Sequence, residues 1–228
     1  TKRQGTQKEN RVLTDQAVIS LPNVPDGNPH FDEWKMRKAS AKSVGDYLKS
    51  RSFKYALDLG CGNGWFTKML ASSSKEVLGL DMNQLELEQA KRVFETDQVH
   101  FCYGDIFVCN LPKGHFDLIT LNACIQYFPD AERLVNRLIE LLSLSGEIHI
   151  IDSPFYESNK IEPAQKRTRD YYAELGFPEM ASNYFHHGWD SLQPFKHEVK
   201  HNPKSLKEKL TKKLGVHSSP FPWIIIRR

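Results

Sequence analysis

Apolar positions along the chain switch between two periods. Tyr55, Leu57 and Leu59 recur at every second place, break at Gly60-Cys61-Gly62-Asn63-Gly64, and resume as Trp65, Phe66, Met69 and Leu70 at helical spacing. The switch recurs downstream. Glu76–Asp81 and Val99–Tyr103 read as apolar strands around a helix over 83–96, whose Leu85, Ala90, Val93 and Phe94 oppose Glu86, Glu88, Lys91 and Arg92. Pro112-Lys113-Gly114 introduces a fourth strand, Phe116–Asn122. Pro129-Asp130 then starts a helix over 130–142 with a wide stripe of Leu134, Val135, Leu138, Leu141 and Leu142, expected to cover one sheet face. Ser145-Gly146 reads as a turn into a fifth strand, Glu147–Ile151.

Upstream, residues 1–11 are polar and basic, as in a disordered tail, and Val12–Leu21 reads as a short helix or extended arm closed by Pro22. A helix over Phe31–Ser50 follows the loop PNVPDGNP. Beyond Asp152 aromatics and histidines concentrate, with a helix near Glu162–Leu175 ending at Gly176. Two last strands, His197–Asn202 and Pro222–Arg228, flank a basic helix over Pro203–Leu214. No repeat is present, and alternating β and α elements predict a doubly wound, mostly parallel sheet.

Composition narrows little. At 228 residues, 39% hydrophobic and 26% charged, the chain suits one α/β domain with an appended segment. A net charge of +3 makes no case for nucleic acid, and no apolar run approaches the roughly 20 residues that span a bilayer. The polar start has no apolar core of a signal peptide, and Thr1 in place of Met leaves room for residues before it. Cys61, Cys102, Cys109 and Cys124 show no C-x-x-C pairing, as expected of thiols in a reducing cytoplasm.

The glycine turn carries the chemistry. Glycines admit positive φ and let a bare backbone approach a ligand, with the N–H groups of a helix start behind it. A dinucleotide fingerprint, G-x-G-x-x-G/A, would need a small residue where Trp65 stands. The pattern present is D-x-G-x-G-x-G over Asp58–Gly64, whose acid would repel a pyrophosphate but attract an ammonium or sulfonium; a plain connecting turn is the bland alternative. This stretch resembles motif I of the class I S-adenosylmethionine-dependent methyltransferases. Asp81, seventeen positions beyond Gly64 at a strand end, can accept both ribose hydroxyls of an adenosine or merely cap the next helix. Gly104-Asp105-Ile106-Phe107 resembles the family's second acidic motif, which implies that the Asp105 carboxylate accepts from the adenine amino group and that Ile106 packs on the ring. Phe116–Asn122 is similar to the family's F-D-L-I strand.

The resemblance covers roughly residues 31–152 and implies a doubly wound, mostly parallel seven-stranded sheet of Rossmann type with an antiparallel C-terminal strand. It implies S-adenosylmethionine as cofactor, with S-adenosylhomocysteine as product. The expected cofactor residues are Trp34 (or Trp34 only anchors its helix), Asp58, Gly60, Cys61, Gly62, Asn63, Gly64, Asp81, Met82, Gly104, Asp105, Ile106, Asn122 and Ala123. Residues 1–30 are then a tail and arm, 31–152 the cofactor core, and 153–228 a lid and terminal strands completing the same domain.

Methyl transfer needs alignment and desolvation more than a base, and no catalytic triad is present. Ligands of open α/β sheets lie outside the carboxyl ends of strands, which puts the acceptor near Asn122–Tyr127, Asp152–Tyr156 and the aromatic tail. Candidate acceptor residues are Tyr127, Tyr156, Tyr171, Tyr184 and His186, with Tyr172 and Phe185 in the same lid; His186, Tyr184 and Tyr127 are the catalytic candidates. His186 and His187 are equally readable as lid histidines without chemistry. Asn122-Ala123-Cys124-Ile125 lacks the prolines of the Asn/Asp-Pro-Pro-Tyr/Phe run in enzymes that methylate amino groups of DNA bases and glutamine. His197-x-x-x-His201 aligns two metal ligands only on a helix, and its context is a strand, so no metal is expected. The basic stretch Lys196–Lys213 reads as a solvated face or as an RNA contact. The expectation is methyl transfer to a small-molecule acceptor in the cytoplasm, with no membrane partner. An RNA methyltransferase and a non-catalytic cofactor-binding module are the alternatives.

Overall fold

The computed structural model describes residues 13–206, 208 and 218–228. Its centre is strand β1 (Phe53–Leu59), whose alternation sends Leu57 and Leu59 to one core and Ala56 to another. Around it lie β2 (Ser74–Asp81), β3 (Val99–Tyr103), β4 (Phe116–Asn122), β5 (Leu142–Ile151), β6 (His197–His201) and β7 (Trp223–Arg227). They form one sheet in the order β3-β2-β1-β4-β5-β7-β6. The first five strands pair in parallel, and β7 runs antiparallel to both β5 and β6. This is the doubly wound sheet expected, and its order reverses between β1 and β4.

Helices cover both faces, as the near-continuous apolar strands require. Helices α1 (Asp15–Ser20), α2 (Phe31–Leu48), α3 (Trp65–Leu70) and α4 (Gln84–Phe94) pack Val18, Val44, Leu48, Phe66, Leu70 and Leu87 against one face. Helix α5 (Ala131–Leu141) packs Leu134, Val135, Leu138 and Leu141 against the other. Its start is fixed by Asp130, whose carboxylate accepts from Arg133 N at 2.8 Å. Helix α6 (Ser158–Glu174) lies outside these layers, with Ala164 its buried residue. No helix among the described residues is long and apolar enough to cross a membrane.

Two expectations need correction. Ser145-Gly146 is no turn: β5 runs from Leu142, and its register against β4 jumps from Phe116↔Leu142 to Leu118↔Glu147. Gly146 sits in that bulge because a Cβ there would meet the Leu142 side chain at 2.7 Å and the Phe116 carbonyl at 3.0 Å. Helix α6 begins at Ser158, not Glu162; Pro163 costs one early hydrogen bond and is absorbed within the first turns. The tail at 1–11 falls outside the described residues. So do Lys207, Lys209, Lys212 and Lys213 of the basic stretch, while Lys200 and Lys204 are ion-paired to Glu198 and Glu157 at 2.8 and 3.2 Å.

β5, β7 and α2 meet in a buried ionic knot. Arg227 Nε and Nη2 donate to Glu147 Oε1 at 2.9 and 2.7 Å, His149 Nε2 lies 3.1 Å from Oε2, and the Tyr47 hydroxyl lies 2.9 and 3.0 Å from the two oxygens. Burial pushes the Glu147 carboxyl up, but hydrogen bonds from His149, Arg227 and Tyr47 together outweigh it and hold it below its ordinary 4.5. Burial pushes the His149 imidazole below 6.5, against the pull of Glu147. A depressed folded pKa contributes stability above the unfolded value and loses it as pH falls. The urea midpoint of the wild type should therefore exceed that of Glu147→Gln at pH 7, with the gap closing below about pH 4.5. A gap unchanged between pH 7 and pH 3 would refute this account of the knot.

Candidate active site

The strand–turn–helix at β1–α3 is built by backbone conformations that only glycine adopts cheaply. Gly60, Gly62 and Gly64 have φ of 72°, 54° and 80°. They differ in what they face. A Cβ on Gly60 would fall 2.6 Å from Cys124 Cβ, and one on Gly64 2.7 Å from the Phe101 ring. A Cβ on Gly62 would come no closer than 3.4 Å, to a Glu86 carboxylate oxygen. The outer glycines are fixed by packing, and Gly62 opens onto a cleft of about 960 Å³.

That cleft lies outside the carboxyl ends of β1, β2, β4 and β5, where the strand order reverses. It brings together Asp58, Gly60, Cys61, Gly62 and Asn63 with Asp81, Met82, Gly104, Asp105, Ile106, Asn122, Ala123 and Trp34. Gly64 does not line it and instead caps α3 from behind. Asp81 ties the glycine turn to the start of the next helix: Oδ2 accepts from Gly62 N at 2.8 Å and Oδ1 from N of Asn83, the residue that caps α4, at 2.7 Å. Each oxygen keeps capacity for one more hydrogen bond. Asp105 Oδ1 accepts from Phe107 N at 2.9 Å and Ile106 is fully buried. Both polar atoms of the Asn122 side chain are buried without a partner among the described residues. Trp34 stands edge-on to Trp65 at 5.5 Å, with the Arg37 guanidinium 5.4 Å from its ring, so it packs on the turn and walls the cleft at once.

Asp58 lies at the bottom of this cleft, almost wholly covered. It is 1% exposed, and its oxygens accept from Thr67 and Thr120 hydroxyls, each at 2.7 Å. Burial pushes its carboxyl up to about 6, although both threonines pull it down and Asp81 adds to the rise.

Residues 56–146 match the sequence model of a methyltransferase domain. Residues 56–146 are therefore a methyltransferase domain. The methyltransferase domain is similar to a ubiquinone biosynthesis O-methyltransferase of Coxiella burnetii, 30% identical over 97 residues that are 42% of each chain. It is also similar to a trans-aconitate 2-methyltransferase of Deinococcus radiodurans, 34% identical over 116 residues, 50% of this chain and 43% of that one. The chain thus spans less than half the length of these curated relatives. An S-adenosylmethionine dependent methyltransferase from Mesorhizobium loti shares the fold, with a TM-score of 0.58 at 17% identity over 85% of this chain and all of that one (100%).

On the far side of the methyltransferase domain's cleft stand Tyr127, Tyr171, Tyr172 and Tyr184, the rings of Tyr127 and Tyr184 edge-to-face at 5.9 Å. Burial raises the Tyr184 phenol, with Tyr156, Tyr127 and Tyr172 adding to it. Tyr156, Phe185 and His186 do not line the cleft. His186 lies behind Tyr184, its Nε2 2.9 Å from the Thr168 hydroxyl and its ring 5.5 Å from that of Tyr156. His187 Nε2 donates to the Ile125 carbonyl at 3.1 Å, as a buried structural histidine does. The two strand histidines are likewise engaged, His197 Nδ1 with Phe195 O at 2.9 Å and His201 Nε2 with Ser219 O at 2.8 Å.

The sequence reading named one cleft residue only as the start of the Asp152–Tyr156 stretch and gave it no role. Asp152, one position past β5, lines the cleft with φ of 51°, unusual for a residue with a side chain. Nothing in an aspartate between Ile151 and Ser153 signals that conformation; only the strand end imposes it.

The raised carboxyl of Asp58 yields a prediction of definite sign. A folded pKa above the unfolded value contributes stability at low pH that is lost as pH rises through about 6. Asp58→Asn keeps the acceptor and removes the charge. Thermal melts of the ligand-free protein should show the variant gaining on the wild type as pH rises from 4 to 8. A difference constant across that range would mean that Asp58 is not forced to ionise in place.

Proposed function

We propose that this protein transfers the methyl group of S-adenosylmethionine to a small-molecule acceptor, leaving S-adenosylhomocysteine. The observation that carries this reading is the cleft itself. It gathers a glycine turn, three carboxylates and an apolar floor at one end, and a tyrosine wall at the other.

The donor set fits the cofactor. Asp81 holds the turn closed through Gly62 N and has an acceptor position left on each oxygen, which suits a ribose diol. Asp105 and Ile106 offer a carboxylate and an apolar surface to the adenine end. Asn122 has unpaired amide atoms beside Ala123, whose φ of 52° turns the chain away from the strand end. The bound cofactor supplies an electrophilic methyl on a sulfonium. The chain's part is to orient that methyl, to neutralise positive charge with Asp58 and Asp81, and to exclude water with Trp34, Tyr171 and Tyr184.

A small acceptor is supported by two relatives whose names carry ubiquinone biosynthesis and trans-aconitate. The segment 153–190 supports the lid reading, since Tyr171, Tyr172 and Tyr184 reach the cleft from outside the sheet's layers. Four unbridged cysteines fit a reducing cytoplasm.

The reading is tested by incubating the protein with methyl-tritiated S-adenosylmethionine and, in parallel, a protein-free metabolite extract and total RNA. A labelled small molecule, with S-adenosylhomocysteine as co-product, is expected; label in RNA would favour the nucleic-acid alternative, and tight cofactor binding with no labelled product the non-catalytic one. Asp81→Ala should weaken S-adenosylhomocysteine in calorimetry by roughly 10- to 100-fold, the loss of charge-assisted hydrogen bonds of about 1.5–3 kcal/mol. Unchanged affinity would leave Asp81 only its backbone partners, Gly62 N and Asn83 N. Tyr184→Ala should cut turnover while leaving cofactor affinity and melting temperature nearly intact. A melting temperature low enough to explain the lost turnover would make the tyrosine wall part of the core.

A further inference from the structure

Asp152 is held as a side chain with one task done and one undone. It is 5% exposed, in the cleft wall at the carboxyl end of β5, beside the acceptor-side residues Gln126 and Pro154. Oδ1 accepts from the Ser40 hydroxyl of α2 at 2.6 Å and from the Ser219 hydroxyl, just before β7, at 2.8 Å. Two donors on one oxygen fix the carboxylate from two elements. Oδ2 is buried and has no hydrogen-bond partner among the described residues. An unsatisfied buried acceptor is costly, and a left-handed backbone on a non-glycine residue adds to that cost. Structure alone needs neither: asparagine or serine would engage the two hydroxyls without burying a charge.

Resting on the methyltransferase reading, we propose that Asp152 is the proton acceptor of the reaction, taking through Oδ2 the proton lost by a hydroxyl or amine nucleophile on the acceptor. The nucleophile's lone pair forms the bond to the methyl carbon, and the S–CH₃ electron pair stays on sulfur as a neutral thioether. The O–H or N–H proton goes to Oδ2. The methylated product leaves neutral, and the carboxyl returns its proton to water.

The groups facing Asp152 bear on how it titrates. Burial raises its pKa above the ordinary carboxylate value, against the pull of Ser40, Ser219, Arg37 of α2 and His201 of β6. His201 is itself 3.4 Å from the Glu208 carboxylate. Arg37 is held at 2.9 Å by Glu33. The reactive form is the ionised one, so the methyl-transfer rate should fall on acidification, through a pKa above that of an ordinary aspartate.

The test uses methyl-tritiated S-adenosylmethionine with the metabolite extract, followed by single-turnover rates on the labelled acceptor once isolated. Asp152→Asn should melt as the wild type does, bind S-adenosylhomocysteine unchanged, and transfer methyl more slowly by about 100-fold or more, without the acid limb of the pH profile. Wild-type rates for Asp152→Asn would overturn the proposal, as would a loss matched by weaker cofactor binding or a lower melting temperature. If the variant fails to fold, the wild-type profile alone decides: a rate flat from pH 5 to 9 overturns it. Failure of the underlying reading looks different, because the wild type itself would then label no small molecule.

Discussion

One aromatic ring holds the cofactor end of the cleft in shape. Phe101 of β3 occupies space that two other residues leave bare: a Cβ on Gly64 or on Gly79 would each fall 2.7 Å from it. Gly79 is on β2 and Gly64 caps α3, so a single side chain from the third strand sets how closely that helix approaches the sheet. Packing density of this order leaves no slack for a methyl group. The glycine turn is therefore as much a consequence of packing below it as of ligand approach above it. Only Gly62 of the three has its hydrogen side turned to the cleft.

That division explains what was readable from the chain and what was not. Strand ends, the glycine turn and Asp81 follow from periodicity and spacing, because parallel crossovers return each strand to the same edge, whereas Asp105 was legible only through the resemblance of Gly104–Phe107 to a family motif. The β5 bulge could not be read that way, since Ser145-Gly146 looks the same whether it turns the chain or lies against Phe116. His186 and Tyr184 are two positions apart in an irregular segment, where no period says which side chain faces the cleft; Tyr184 does and His186 backs it. Asp152 was hidden for a related reason: its conformation arises where β5 leaves the sheet.

Charge in the cleft is arranged as a reserve. Asp58 is fully buried between two threonines and partly resists ionisation, so the fold holds beneath the cleft a carboxyl whose charge its two hydroxyl donors only partly offset. The Glu147–Arg227 pair works in the opposite sense: its charges are matched within the fold and, through the Tyr47 hydroxyl, tie α2 to β5 and β7.

The strand order has a consequence for how the molecule is made. β7 lies inside the sheet, between β5 and β6, although it follows both of them in sequence. During synthesis β5 must keep an open edge, and β6 has no neighbour to join, until Ile224, Ile225 and Ile226 have left the ribosome. The unpaired β5 edge and that apolar triplet are complementary, and each is a surface on which another nascent copy could pair instead. Fidelity of assembly on a crowded polysome is thereby placed in the hands of one five-residue strand.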